Sequence, residues 1–542
     1  MGGGRALVFA VVLASPGLAA AQTSSSPIVP QSRADQAIPT ARDVAPPANP
    51  NPTAQPGVPA IKPFQLTGVV VEGSTLPVDK LRAAWAPFVG QSIDGAGLGK
   101  VSDAVVAAYK ASDIALYTVL IPNQDFQGGV LKVRALEGYI DAIAVEGGRG
   151  KEGGKQLGRY LAKLKAERPL TKRTLQRYVS LIRDLPGMKA EVSFANGGSD
   201  RAVRMVLKLD PAPVQAGAAI NNRGAAFLGR TQAMVELYLN GLLDGGDQTH
   251  FTIARPTDGR SFQYYSASHL EPLGGAGATV QLNLGYLKTH PKGVPLRGEA
   301  TSVGLQLSHP LVRSYDRDLY LTLGLDGLNS NNALLGVNIS DERTRALRAG
   351  VSYKGQAARR QWFASGAGSV GLDALGARTV DPALSEVSFV KWNLRGGYNV
   401  ELVKRWVVRL NAASQWTNDR LPPSEQFALG GNEYGRAYEA AVTAGDYGYA
   451  GSAELAFRPG GLPRQLDNAE VYGFIDGGRL WYRGRLGFPK QAAELSTAGF
   501  GLRAPIGAKS GLQLELARAL PNASGFLERD EWRGVFALRT LQ

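Results

Sequence analysis

The side chains that could do chemistry are few and widely spaced in this chain of 542 residues. There is no cysteine, so neither a disulfide framework nor a thiolate metal site can form. The four histidines stand at 250, 269, 290 and 309, and no two are four residues apart, which is not the spacing of a zinc site. The chain carries no nucleophile elbow, no acid and base paired at a Gly-rich turn, and no Walker A phosphate loop. No enzymatic activity, metal, nucleotide or other cofactor is therefore expected. What remains is a pair of opposite charges. Arg436 lies in Leu429-Gly430-Gly431-Asn432-Glu433-Tyr434-Gly435-Arg436-Ala437-Tyr438, a stretch between two strand-like runs and too long for a tight turn. Downstream, Phe474-Ile475-Asp476-Gly477-Gly478 reads as a strand, with Asp476 on the face of Tyr472 and Phe474, opposite Val471 and Ile475. The chemistry such a pair can do is mechanical: a charge-assisted tether that folds a long loop inward onto a strand face. In a water-filled pore one such pair contributes only about 1 kcal/mol, so its role would be to place the loop tip, helped by the bidentate geometry of the guanidinium fork. These residues also fit a surface loop with an exposed arginine and an unrelated strand aspartate. The elements that would have to bring them together decide the matter.

The net charge of +14 is spread along the whole chain and accompanies no nucleic-acid motif, so nucleic acid is not an expected partner. Basic residues on a pore wall or facing anionic lipid are an equally physical use of that charge. Residues 1–21 read as a secretory signal, with Arg5, a short apolar core from Ala6 to Leu13, and small residues Ala19-Ala20-Ala21 before Gln22. Residues 22–63 are rich in Pro, Ser, Ala and Gln and read as an extended linker. No segment is long and apolar enough to span a bilayer as a helix, so a membrane-spanning form of this chain has to be a β-barrel.

Between the linker and Pro211 the pattern is mixed. Strand, helix, helix, strand, strand is expected over 64–138, with helical spacing over Leu76 to Val89 and over Leu98 to Ala111, where Val101, Val105 and Ala108 share a face. Residues 139–212 repeat that order, with strands at Tyr139 to Val145, Ala190 to Phe194 and Ala202 to Leu209, and helices over Gly154 to Ala166 and Thr171 to Leu185.

From 213 to 542 helical periodicity vanishes and strict alternation begins. Val235, Leu237 and Leu239 oppose Glu236, Tyr238 and Asn240, and Leu282 and Leu284 oppose Gln281, Asn283 and Gly285. Leu321 and Leu323 oppose Thr322 and Gly324, and Leu512, Leu514 and Leu516 oppose Gln513, Glu515 and Ala517. One face is aliphatic and suits lipid; the other carries amides, hydroxyls, glycine and charge and suits a wet lumen better than a packed sandwich interface. About 330 residues at about 20 per strand and turn give about 16 antiparallel strands. The expected fold is thus a membrane β-barrel preceded by two α+β domains.

Signal peptide, linker, two β-α-α-β-β units and barrel together resemble the TpsB transporters of two-partner secretion, the ShlB/FhaC/HecB group of the BamA superfamily. Ile121-Pro122-Asn123-Gln124, Gly129-Val130-Leu131-Lys132-Val133 and Glu137-Gly138-Tyr139-Ile140 resemble the end of that family's first POTRA domain. Asn222-Arg223-Gly224, Gly229, Asn240-Gly241-Leu242-Leu243 and Gly246-Asp247 resemble its first barrel hairpin, and Leu307-Ser308-His309-Pro310-Leu311 a central strand. Arg436 and Tyr438, preceded by Gly430 and Gly431, match the family's Val-Arg-Gly-Tyr loop tip, from which Gly435 and Ala437 depart. Phe474, Asp476 and Gly478 match its Phe-x-Asp-x-Gly strand. The resemblance implies outer-membrane export of a large unfolded exoprotein (a TpsA-like client), captured in the periplasm by the POTRA domains, with outer-membrane lipid around the barrel. It also implies that Arg436 meets Asp476 in the pore. Residues 22–62 lack the amphipathic plug helix common in the family, and the chain ends Thr540-Leu541-Gln542 with no terminal aromatic, leaving Phe536 and Leu538 for an assembly signal. The other readings are a BamA- or TamA-like assembly factor, a passive porin and an outer-membrane enzyme.

Overall fold

Three regions of different periodicity become three bodies of structure. The computed structural model describes residues 61–147, 154–521 and 532–541, apart from 244, 336, 404, 464, 465, 467, 488 and 508. The expected signal peptide and nearly all of the expected linker lie outside the described residues.

The first unit runs through β1 (Phe64–Gln65), β2 (Gly68–Glu72), α1 (Val78–Trp85), β3 (Ser92–Ile93), α2 (Gly95–Ala111), β4 (Tyr117–Leu120) and β5 (Val130–Glu137). The Asp94 carboxylate starts α2 by accepting the Gly97 N–H at 2.8 Å. Leu98, Val101, Val105 and Tyr109 recur at three- and four-residue spacing along α2 and are buried. They pack on Leu66, Leu131 and Val133 under the sheet β2-β5-β4. The expected first strand is interrupted at Leu66 and Thr67: β1 pairs with β3, β2 joins the sheet with β5, and Ile61 packs on the same core.

The second unit repeats the order in β6 (Tyr139–Glu146), α3 (Gly154–Ala166), α4 (Lys172–Arg183), β7 (Met188–Asn196) and β8 (Ala202–Pro211), with sheet order β6-β8-β7. The two units are welded together. The Ala115 N–H donates to the Leu170 carbonyl at 2.8 Å and the Leu170 N–H to the Gly138 carbonyl at 3.0 Å, while Ala115 and Leu116 lie in the second unit's core.

The alternating region forms β9 (Val214–Asn221), β10 (Gln232–Asn240), β11 (Gln248–Pro256), β12 (Phe262–Leu273), β13 (Ala278–Thr289), β14 (Leu296–Arg313), β15 (Arg317–Leu334), β16 (Val337–Ala357), β17 (Arg360–Gly371), β18 (Val390–Val403), β19 (Trp406–Thr417), β20 (Phe427–Leu429), β21 (Thr443–Gly445), β22 (Tyr447–Phe457), β23 (Glu470–Tyr482), β24 (Gln491–Ile506), β25 (Ser510–Ala519) and β26 (Trp532–Leu541). All but β20 and β21 close into a sixteen-stranded antiparallel barrel, sealed where β26 pairs β9. Register makes the two faces continuous. Leu282, Leu305, Leu325 and Leu347 stand side by side across β13 to β16, pointing out, while Asn283, Gly304, Asp326 and Ala346 form the adjacent row pointing in. Val235, Leu282, Leu284, Leu321 and Leu323 are exposed on the outer face, as are Trp392, Trp416, Tyr449 and Trp532 at the rim far from the two units.

The second unit is bolted to the near rim. The Arg313 guanidinium, at the near end of β14, donates to both Asp184 oxygens at 2.6 and 2.7 Å and to Asp318 at 2.8 Å. Arg177 of α4 donates to the carbonyls of Ala276 and Pro310, each at 2.8 Å. Tyr315, in the turn after β14, packs against the second unit's core.

Candidate functional site

Residues 418–446 connect β19 to β22, far more chain than a hairpin needs, and the segment folds back inside the barrel. Packing explains the direction. Leu429, Tyr434 and Tyr438 are buried against Ala450, Leu480, Ala493, Leu495 and Ala519 of the inner wall, where small side chains leave room for the loop. A Cβ on Gly478 would lie 2.7 Å from Leu429 Cδ2, so glycine there lets the loop rest on the wall. The tip reverses tightly: φ is 102° at Gly430 and 92° at Gly435, both in the region that favours glycine, and Gly431 lies close by at 100°. The Gly430 N–H donates to the Tyr434 carbonyl at 2.8 Å, the Gly431 N–H to that of Gly435 at 3.2 Å, and the Tyr438 N–H to that of Gly435 at 2.9 Å. Gly435, which departs from the family's tip pattern, thus closes the turn. A Cβ there would also stand 2.7 Å from Leu495 Cδ1.

That turn delivers Arg436 to Asp476. Arg436 Nε lies 3.1 Å from Asp476 Oδ2, and the guanidinium stacks 4.1 Å above the Phe474 ring. Asp476 Oδ1 accepts the Gly435 N–H at 2.5 Å and the Thr497 hydroxyl at 2.7 Å. Two details of the expected pair need correction. It is not bidentate: Nε approaches a single oxygen without hydrogen-bond alignment, so the attraction between them is coulombic. Nor is it wet: the Arg436 side chain is 9% exposed and that of Asp476 0%. The packed loop itself removes the water that would have screened the charges.

Arg436 has further partners that pattern reading missed. Its Nη1 lies 3.4 Å from both Glu454 and Glu515. Glu454 also takes Arg409 at 2.8 Å and Arg503 at 2.5 Å, and both arginines reach Glu470. Arg223, after β9, approaches Glu515 at 3.6 Å, and the Tyr472 hydroxyl donates to Glu515 at 2.9 Å. Carboxylates and guanidiniums alternate, so no charge in the cluster stands without an opposite neighbour. The available signal was register. Glu454 lies beside Phe474, and Asp476 beside Thr497, on the inward parity that also carries Glu515.

With the loop seated on β22 to β25, a cavity of about 750 Å³ lies between it and the opposite wall of the lumen. Its wall includes Ser266, Gln281, Asn283, Ser302, Gln306 and Thr322, and the loop contributes Gln426, Glu433 and Tyr434. The hydroxyls and amides of this wall can exchange hydrogen bonds with polar groups in the lumen. Among the described residues, no cluster of His, Asp or Glu is disposed to hold a metal ion.

Comparison with known proteins follows the same division. The family model described as haemolysin secretion/activation protein ShlB/FhaC/HecB matches residues 203–504, and that of a ShlB-type POTRA domain matches 64–138. The outer membrane transporter CdiB of Escherichia coli is 24% identical over 474 residues, covering 83% of this chain and 78% of that protein. The heme/hemopexin transporter protein HuxB of Haemophilus influenzae is 18% identical over 409 residues, 71% of each. In solved structures, CdiB from Escherichia coli superposes with a TM-score of 0.74 at 21% identity, covering 92% of this chain and 94% of that one. BamA from Haemophilus ducreyi lacking POTRA domains 1–3 gives 0.52 at 13% identity, covering 88% of this chain and 100% of that one, a likeness of fold alone.

Proposed function

The chain belongs to the ShlB/FhaC/HecB family of haemolysin secretion/activation proteins, and on that footing we propose that it carries one large unfolded exoprotein from the periplasm to the cell surface. Members of the family are transporters, and this chain is an outer-membrane transporter with its barrel in the bilayer and its POTRA region in the periplasm. The observation that carries the finer reading is the pore itself. A lumen of hydroxyls and amides, partly filled by a loop seated on charges, suits passage of an extended chain whose peptide groups stay hydrogen-bonded on the way. In this reading the near rim faces the periplasm, and the second unit, held there by Arg313 and Arg177, delivers the client to the pore. Client capture is by strand addition to free sheet edges such as β7. Arg436 and Asp476 hold the loop tip where the client must meet it. In this reading the protein acts without catalysis.

The test is to look for a secreted exoprotein encoded beside this chain and to follow its export in cells making the full protein or the protein lacking residues 64–210. Export by the full protein, and none by an inserted barrel without those residues, is the expected result. Normal export by the truncated barrel would overturn capture by the two units. A general loss of other barrels from the membrane on depletion would favour the assembly-factor reading instead.

A further inference from the structure

Glu425 is a buried charge on the inward loop that takes no part in the Arg436 tether. It ends a short 3-10 turn, Pro423–Glu425, on the limb that descends from β19, and is 5% exposed. Its Oε1 accepts Arg348 Nη2 at 2.7 Å, and its Oε2 accepts Arg348 Nη1 at 3.1 Å and lies 2.8 Å from Lys391 Nζ. Its backbone carbonyl accepts Lys391 Nζ at 2.8 Å and Gln415 Nε2 at 3.0 Å. Arg348 is further held by Asp326, through Nε at 2.6 Å, and by the Ser369 hydroxyl at 2.9 Å. These partners come from β15, β16, β17, β18 and β19, an arc of wall separate from the β22 to β25 arc that holds Arg436.

The balance of charge shows what this arc is built to receive. Arg348 and Lys391 bring two positive charges to the site and Asp326 one negative charge. Without the loop, one positive charge of this arc would have no carboxylate beside it, and seating the loop dries the site, which is costly unless that charge is matched. The fourth member has to come from the loop, and Glu425 supplies it. We propose that Glu425 is a second anchor of the pore loop, a positioning residue that pins the descending limb to β15–β19 while Arg436 pins the tip to β22–β25. The two anchors differ in kind. The Glu425 carboxylate is held by aligned hydrogen bonds from Arg348, whereas Arg436 Nε faces Asp476 Oδ2 without alignment. With the Arg436 side chain gone, the descending limb therefore stays fastened at Glu425.

The inference rests on the reading that residues 418–446 obstruct the pore. The experiment needs no client, so its failure is distinguishable from a failure of the secretion reading. Purified full-length protein is placed in planar lipid bilayers and channel opening is recorded for Arg436→Ala, for Glu425→Gln/Lys391→Gln, and for the two combined. The Gln pair removes one charge of each sign and leaves Arg348 balanced by Asp326. Barrel folding is checked by heat-modifiable migration on a gel. Arg436→Ala alone should give brief openings, the Gln pair alone little change, and the combination an open-state occupancy at least about tenfold above Arg436→Ala. A folded combined variant that opens no more often than Arg436→Ala would overturn the proposal, as would a lowered melting temperature with unchanged conductance. Glu425→Asp serves if the Gln pair does not fold: it keeps the charge but is too short to hold both cations, and its combination with Arg436→Ala is read by the same criterion. Failure of all these variants to fold would assign Glu425 to wall stability and also overturn the proposal.

Discussion

Replacing Arg436 by alanine should hurt more than replacing Asp476 by asparagine, although the two substitutions break the same contact. The difference lies in what each leaves behind. Without Arg436, Glu454 keeps Arg409 and Arg503, and Glu515 keeps Arg223 and the Tyr472 hydroxyl. Asp476 keeps no cation; it retains only the Gly435 N–H, the distant Arg436 N–H and the Thr497 hydroxyl, with a side chain 0% exposed. Breaking a buried pair from one side costs about 3–5 kcal/mol, and those remaining donors put this case near the lower end. In Asp476→Asn, Arg436 still lies between Glu454 and Glu515, and the amide oxygen can accept from Gly435 and Thr497. About 1–2 kcal/mol is then expected, the worth of a weakened charge-assisted bond. Arg436→Lys should fall between them, since lysine keeps the charge but loses the planar stack on Phe474. The cost falls on the loop's seat rather than on the strand ladders, so all three barrels should insert and show normal heat-modifiable mobility. Client export and resting conductance are the readouts. Asp476→Asn more severe than Arg436→Ala, or wild-type export and conductance in both, would refute the reasoning.

On the lipid face, Leu323→Arg should cost about 2–4 kcal/mol in denaturant unfolding of the barrel in vesicles, whereas Gln306→Arg, in the cavity wall, should cost far less. Arg313→Ala should free the second unit from the rim, read as faster hydrogen exchange in α4 and impaired export from an intact barrel, because Asp184 and Asp318 both lose their cation. In the first unit, burial above all, with the Glu137 carboxylate assisting, raises the pKa of the Tyr109 hydroxyl above its usual 10.0. Its contribution to stability is therefore complete below pH of about 10 and lost as pH rises beyond that, because the unfolded chain ionises first. Thermal unfolding of the POTRA region, followed in the full protein from about pH 8 to about pH 11, should fall more steeply for wild type than for Tyr109→Phe.

The barrel was legible because a pleated strand alternates faces at every residue, and rows such as Leu282, Leu305, Leu325 and Leu347 repeat that alternation across neighbours. The helices were legible where a full turn of apolar spacing existed, as along α2. β1 and β3 were not, since two residues carry no period, and their pairing joins segments far apart in sequence. At the site, the strand face gave Asp476 an inward direction and the family pattern gave Arg436 as its partner. Nothing local told that Leu429, Tyr434 and Tyr438 would dry the contact, so a pair expected to be wet is buried. Glu454 and Glu425 escaped notice, and Glu515 was placed on the polar face without a partner, because an inward glutamate in a barrel reads as lumen polarity. Only register and the path of the loop show which arginine each one meets.

In the proposed opening of the pore loop, dry charges are a suitable fastening. A buried ion pair roughly breaks even against the desolvation it requires, so it defines where the tip sits while adding little net stability. An apolar seat of similar area would resist opening throughout, since lifting it exposes hydrocarbon to water all the way. Charges behave oppositely once water arrives. The cavity of about 750 Å³ beside the loop already gives water and an extended chain a place to begin. As the lumen wets, the attraction between Arg436 and its carboxylates falls from that of a low-dielectric contact toward the roughly 1 kcal/mol of a solvated pair. Each separated group then gains the hydration it lacked. The first displacement is the hard one and later ones are easier, which gives two stable positions instead of a gradual slide. Leu429, Tyr434 and Tyr438 oppose that lift with ordinary hydrophobic burial and favour return of the loop after the chain has passed.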